Sequence, residues 1–86
     1  MAGIDEVKVH ISASVDEADR ALLAIRGVSE RLDEVLNRLR LVMAGSAHVR
    51  AAEAIAAIEA AQSSLGDAQT QVSLGIQAAQ SYHGLI

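Results

Sequence analysis

The chain has no cysteine, proline, tryptophan or phenylalanine, and its only aromatic residue is Tyr82. Without cysteine there are no disulfides and no thiolate chemistry. Few aromatics and no proline argue against a strand-rich, loop-rich fold, because strands favour aromatic and β-branched residues and loops favour proline. A basic stripe is also missing, and the net charge of −4 is the wrong sign for a nucleic-acid binder. No apolar run approaches the roughly 20 residues that span a bilayer. No signal peptide opens the chain, since Asp5, Glu6, Lys8 and His10 interrupt the start. The expectation is a cytoplasmic protein, or one exported by a route that does not read such a peptide.

What remains is alanine, leucine, isoleucine and valine, in an apolar share of 51%. In 86 residues that composition predicts one small all-α domain whose core comes from helix packing rather than from large rings. The pattern agrees. With Ile4 as heptad position a, the a column reads Ile4, Ile11, Ala18, Ile25, Leu32, Leu39 and the d column Val7, Ser14, Ala21, Val28, Val35, Val42. Position e adds Val15, Leu22, Leu36 and Met43. Three apolar columns are wider than a two-stranded coiled-coil seam and suit a helical bundle.

Gly45 follows this ladder as a good C′ residue, and Ser46 is placed to cap a second helix. The prediction is a single antiparallel two-helix hairpin over 1–86, with helix one at about 5–43, a turn at 44–46 and helix two at about 47–83. Helix two carries Ala51, Ile58, Leu65, Val72 and Ala79 at a, and Ile55 and Ile76 at e. Its d column holds Ala47, Ala54, Ala61, Ala68, Gly75 and Tyr82. That run of small residues would let the helix axes approach closely. Two alternatives compete locally. Ser14 with Glu17 resembles a capping box, which would start helix one later, but the unbroken heptad phase favours a continuous helix. Ser63, Ser64 and Gly66 lower helix propensity enough to admit a kink.

One hairpin cannot cover three apolar columns on each helix. Leu23, Val9, Leu41 and Leu74 project off the main stripe as well. Dimerisation into a four-helix bundle is the expected solution. The expected interface is Ile25, Val28, Leu32, Val35, Leu36 and Leu39 against Ile55, Ile58, Leu65, Val72 and Ile76.

Little of the chain looks like chemistry. His10 and His83 come together at the open end of a hairpin, near Asp5 and Glu6, but no paired ligand spacing on one helix face supports a metal site. No nucleophile–base pair or glycine-rich phosphate loop is present, so no catalytic residue, cofactor or small-molecule substrate is expected. Asp33, Glu34, Glu17 and Asp19 read as a solvated face with Arg20, Arg31 and Arg38. Arg38, Arg40, His48 and Arg50 cluster around Gly45 with no acid between Glu34 and Glu53. This basic tip reads either as a docking knob for an acidic surface or as dipole capping. In the second half the outward polar residues are neutral, among them Gln62, Ser63, Thr70, Gln71, Ser73, Gln77, Gln80 and Ser81. Such a face desolvates cheaply and suits either contact with another helix or plain solvation.

Taken with Met43-Ala44-Gly45 at the turn and Tyr82 near the end, the chain resembles the W-x-G family of type VII (ESX-type) secretion. Members of that family are signal-peptide-free helical hairpins that form homo- or heterodimeric four-helix bundles. Met43 stands where the family has tryptophan, and Ile86 where its export motif has an acid four residues after tyrosine. The resemblance implies a secretion substrate or helper that pairs with itself or with the helices of a larger secreted effector, which would supply the export signal. Six arginines against one lysine, with much alanine, point to a GC-rich, actinobacterial genome. The alternatives are a homo-oligomeric scaffold or a cytosolic adaptor with no secretion role.

Overall fold

The computed structural model describes residues 3–86, which form two helices, α1 over Ile4–Val42 and α2 over Val49–Leu85. They fold into an all-α antiparallel hairpin with extents of 63 × 19 × 15 Å. Of residues 1–13, which a helix start at Ser14 would leave outside helix one, residues 1 and 2 lie outside the described residues.

Helix α1 runs unbroken through Ser14, so the capping-box start is not used. Heptad phase wins there because Val7 and Ile11 sit half-buried on the same face as Val15 and Ala18. The helix begins one residue before the expected start. Gly3 is its N-cap, and the Gly3 carbonyl accepts from the Val7 amide at 3.0 Å. Asp5 and Glu6 in the first turn and Arg40 in the last both suit the helix dipole.

The turn is wider than the expected 44–46. Met43 caps α1, its amide donating to the Leu39 carbonyl at 2.8 Å. The Ser46 amide then donates to the Met43 carbonyl at 3.0 Å, closing a four-residue turn. Gly45 takes φ +77° within it, the left-handed conformation that glycine adopts without a Cβ clash. Its role is therefore in the turn rather than at C′.

The expected Ser46 cap is also corrected. The Ser46 hydroxyl accepts from the His48 amide at 3.2 Å, inside the turn. His48 is the residue that caps α2: its Nδ1 accepts from the Arg50 amide at 3.1 Å, the second amide of the helix. Helix two thus runs two residues later than expected at both ends. It passes through Ser63, Ser64 and Gly66 without interruption. The Thr70 hydroxyl donates to the Gly66 carbonyl at 3.2 Å.

The helices meet along their a and e columns. Among the described residues only Leu22 and Leu36, both at e, are buried, at 8% and 2% exposure. Val15, Ile25, Leu32 and Leu39 of α1 and Ile55, Ile58, Leu65, Val72 and Ile76 of α2 are half-buried along the same seam. The small d column of α2 borders this seam rather than centring it. Ala54, Ala61 and Ala68 are half-buried, but Gly75 and Tyr82 are exposed. A Cβ at Gly75 would meet nothing within 4 Å, so the hairpin itself does not need glycine there.

Two buried side chains make a thin core. The chain exposes 6261 Å². A compact monomer of 9.0 kDa would expose about 4,900 Å². The radius of gyration, 19.4 Å, likewise exceeds the roughly 12 Å of a globular chain this long.

Candidate interaction surface

Around a helix, position a is flanked by d on one side and e on the other. Because the seam uses a and e, both d columns fall on one flank of the hairpin, and positions b and e fall on the other. The two flanks differ sharply.

The b/e flank is stitched by polar contacts between the helices. Arg40 pairs with Glu59 at 3.5 Å, the Gln62 amide donates to the Asp33 carboxylate, and Ser12 Oγ lies 3.4 Å from His83 Nε2. Arg40, Asp33 and Ser12 all occupy b on α1, so one ridge holds α2 along much of its length. Both members of the Arg40–Glu59 pair are about half exposed, which makes it worth well under about 1 kcal/mol. These contacts set register more than stability.

The d flank has none of these cross-helix polar contacts. Val28, Val35, Val42 and Tyr82 project from it into solvent, Val28 at 43% and Val35 at 41% exposure. Towards the open end the same flank sinks into a shallow apolar hollow lined by Ser14, Ala18, Val72, Gly75 and Ala79. Val7, Ile11 and Ala79 continue it. The d flank is thus a ridge of valines near the turn and a depression of small residues near the termini.

No protein family, curated protein or solved structure matches this chain.

The eleven residues expected at the interface divide between two roles. Leu36 is sealed inside the hairpin. Ile25, Leu32, Leu39, Ile55, Ile58, Leu65, Val72 and Ile76 line the internal seam and are half open. Only Val28 and Val35 stand fully on the open d flank. Met43, Gly45 and Tyr82, the positions of the motif resemblance, are placed at the turn and near the far end of α2.

The basic tip is partly paired. Arg40 reaches Glu59, and Arg50 reaches Glu53 at 2.9 Å, which offsets an arginine at the cationic end of α2. His48 is engaged as the cap. The acidic residues of α1 expected to face arginines do so at Glu17–Arg20, 3.2 Å apart. His10 lies 3.9 Å from Glu6 on its own helix, while His83 turns to Ser12. Among the described residues no three His, Cys, Asp or Glu side chains converge on one point.

Sequence reasoning missed the Ser12–His83 contact, which has Asp16 on the rim of the same shallow depression. The three side-chain types match those of a hydrolytic triad. The geometry does not. Ser12 is exposed, the Ser–His separation is long for a hydrogen bond to a hydroxyl, and the amides near Ser12 are used within α1. The contact reads as another stitch between the helices. Only knowledge of the helix register could have revealed it, since the two residues are 71 apart in the chain.

Proposed function

We propose that this chain is a non-enzymatic interaction module, a half-bundle that completes its core by pairing with a second helical hairpin. The observation that carries the reading is the unstitched d flank, where valines and a tyrosine stand in water beside a core in which, among the described residues, Leu22 and Leu36 are buried. Helices with an apolar flank of this kind are covered in stable folds by other helices. The four-helix bundle supplies two such helices at once. In this reading the partner is a second copy or another hairpin, and the setting implied by the W-x-G resemblance is type VII secretion, as substrate or helper. Neither described helix is long and apolar enough to cross a membrane.

The test is light scattering on a size-exclusion peak, with helicity recorded on the same fraction, for the chain and for Val35→Asp. Val35 lies on the open flank, so the hairpin tolerates aspartate there, whereas a buried interface does not. A helical particle near twice the 9.0 kDa chain mass that falls to a monomer in the variant supports the proposal. A fully helical, stable monomer in both refutes it. A poorly helical monomer directs the search to a different hairpin, recovered by co-purification.

A homo-oligomeric scaffold is the second reading. Val9, Leu23, Leu41 and Leu74 are exposed away from the d flank and offer further contacts. Filaments or particles larger than a dimer would favour it.

A further inference from the structure

The geometry points to a second contact surface, on the b/e flank: a depression at Arg26 that takes a carboxylate from an acidic segment of another protein. This does not depend on the pairing reading above, because a partner on the d flank leaves the b/e flank open.

The b ridge of α1 follows a pattern that breaks at Arg26. Arg40 finds Glu59 at 3.5 Å, and the Asp33 carboxylate accepts from Gln62. The antiparallel register carries both contacts onward in heptads. One heptad back from Asp33 is Arg26, and one heptad on from Gln62 is Gln69. Two heptads back from Arg40 is again Arg26, and two heptads on from Glu59 is Ser73. The structure agrees with both counts: Arg26, Gln69 and Ser73 line one shallow depression with Thr70, Leu74 and Gln77. A serine thus stands where a repeat of the Arg40–Glu59 pair needs a glutamate.

Among the described residues no acid forms an ion pair with Arg26. Glu30, one turn on at position f, does not close on it. Asp19 and Asp33 stand one heptad away on the ridge, about 10 Å along the axis, and Asp33 is engaged by Gln62. The lining offers donors instead. Arg26 has five N–H groups in a planar fork, Gln69 and Gln77 have amide donors, and Ser73 has a hydroxyl. The Thr70 hydroxyl already donates to the Gly66 carbonyl.

These groups fit a monoanion. A guanidinium fork matches a carboxylate through two parallel hydrogen bonds. A phosphate dianion calls for a cluster of arginines. Among the described residues one cation, Arg26, lines the depression, in a chain of net charge −4. The depression is open, and exposed leucines flank it: Leu74 on its rim and Leu23 one turn back on α1. They offer apolar contact to the residues beside the incoming acid and exclude water from the ion pair, the arrangement of an interface hot spot. The surrounding face of α2 is neutral, with Asp67 the one acid or arginine-type charge after Glu59. Covering it strips few ions of water.

The probe is a pair of short capped peptides, one with a glutamate between two leucines and one with glutamine in its place. Each is titrated into the isotope-labelled chain and followed by nuclear magnetic resonance. The expected result is a saturable shift of the Arg26 side-chain N–H and of the amides from Gln69 to Gln77 with the glutamate peptide. Binding should weaken about tenfold or more with the glutamine peptide, and likewise in Arg26→Ala, through loss of the charge-assisted hydrogen bonds. Arg26 is exposed, so the helices persist in that variant, and circular dichroism checks that they do.

Ser73→Glu should abolish binding by supplying the missing carboxylate from within, as Glu59 does for Arg40. Ser73→Gln, equal in size and neutral, should retain it. Equal binding of the two peptides, or equal loss in Ser73→Gln and Ser73→Glu, overturns the carboxylate assignment. Inorganic phosphate moving the same signals at lower concentration than the glutamate peptide overturns the ligand class. A flat titration with both peptides at millimolar concentration overturns the site. A monomeric chain that binds the glutamate peptide leaves the site standing while the pairing reading fails.

Discussion

Leu22 and Leu23 are neighbours on one helix with opposite fates, at 8% and 64% exposure. Truncating each to alanine applies identical chemistry one residue apart, so any difference reports burial alone. The change removes three carbons, each worth about 0.8 kcal/mol when fully buried. For Leu22 this gives a loss of about 2 kcal/mol, since little of the side chain is wet. The cavity contribution is small here, because a two-helix seam can collapse. For Leu23 the same arithmetic gives about 0.9 kcal/mol as an upper bound. The better helix propensity of alanine returns a few tenths of it. In a chain of this size 1 kcal/mol moves Tm by about 4–8 °C. Leu22→Ala should therefore lower Tm by roughly 8–16 °C and Leu23→Ala by less than about 5 °C. The assay is thermal unfolding followed by helical circular dichroism at one fixed protein concentration, because association shifts apparent stability. Leu23 occupies position f, away from both the seam and the d flank, so pairing does not alter the expectation. Equal losses at the two positions would refute the a/e seam.

Other perturbations follow from the turn, the cap and the helix interior. Gly45→Ala forces a Cβ into φ +77° and should cost about 1–2 kcal/mol in chemical denaturation. Gly66→Ala should stabilise by about 0.5–1 kcal/mol, because the added methyl meets nothing within 4 Å and the residue lies mid-helix. His48→Ala should cost about 1 kcal/mol through loss of the α2 cap, and His48→Asp should recover it, both read as a midpoint shift in urea. Arg40→Ala should change stability by less than about 1 kcal/mol, and that small effect should vanish in high salt, since the Glu59 pair is half exposed.

Much of the fold was written in the heptad ladder. Three apolar columns in unbroken phase, then Gly45, were enough for two long helices and their antiparallel return. The local errors have local causes. Ser46 looked like the cap, but its hydroxyl is drawn to the His48 amide, and histidine capped in its place through a ring nitrogen, a role its side-chain type seldom signals. What periodicity could not convey was which two of the three columns face inward. Columns d and e flank a symmetrically, and both are apolar. The choice rests on residues outside the stripe: Arg40, Asp33 and Ser12 at b find Glu59, Gln62 and His83 on α2. At g, Glu17 pairs with Arg20 on its own helix rather than across to α2. The small residues of the α2 d column were legible as a place of close approach. Which helix approaches was not, because the sequence of one hairpin is silent on what lies across its open flank.

The three stitches of the b/e flank lie at increasing distance from Gly45. Gln62–Asp33 closes 29 residues and Ser12–His83 closes 71, which costs about 0.8 kcal/mol more in loop entropy. The hairpin therefore behaves as a zipper anchored at its turn, and amide hydrogen exchange should quicken steadily from Leu39 and Ile55 towards Ile11 and Ala79. The slack teeth are the ones around the small-residue hollow, where Ala18 and Gly75 give each other the least to hold.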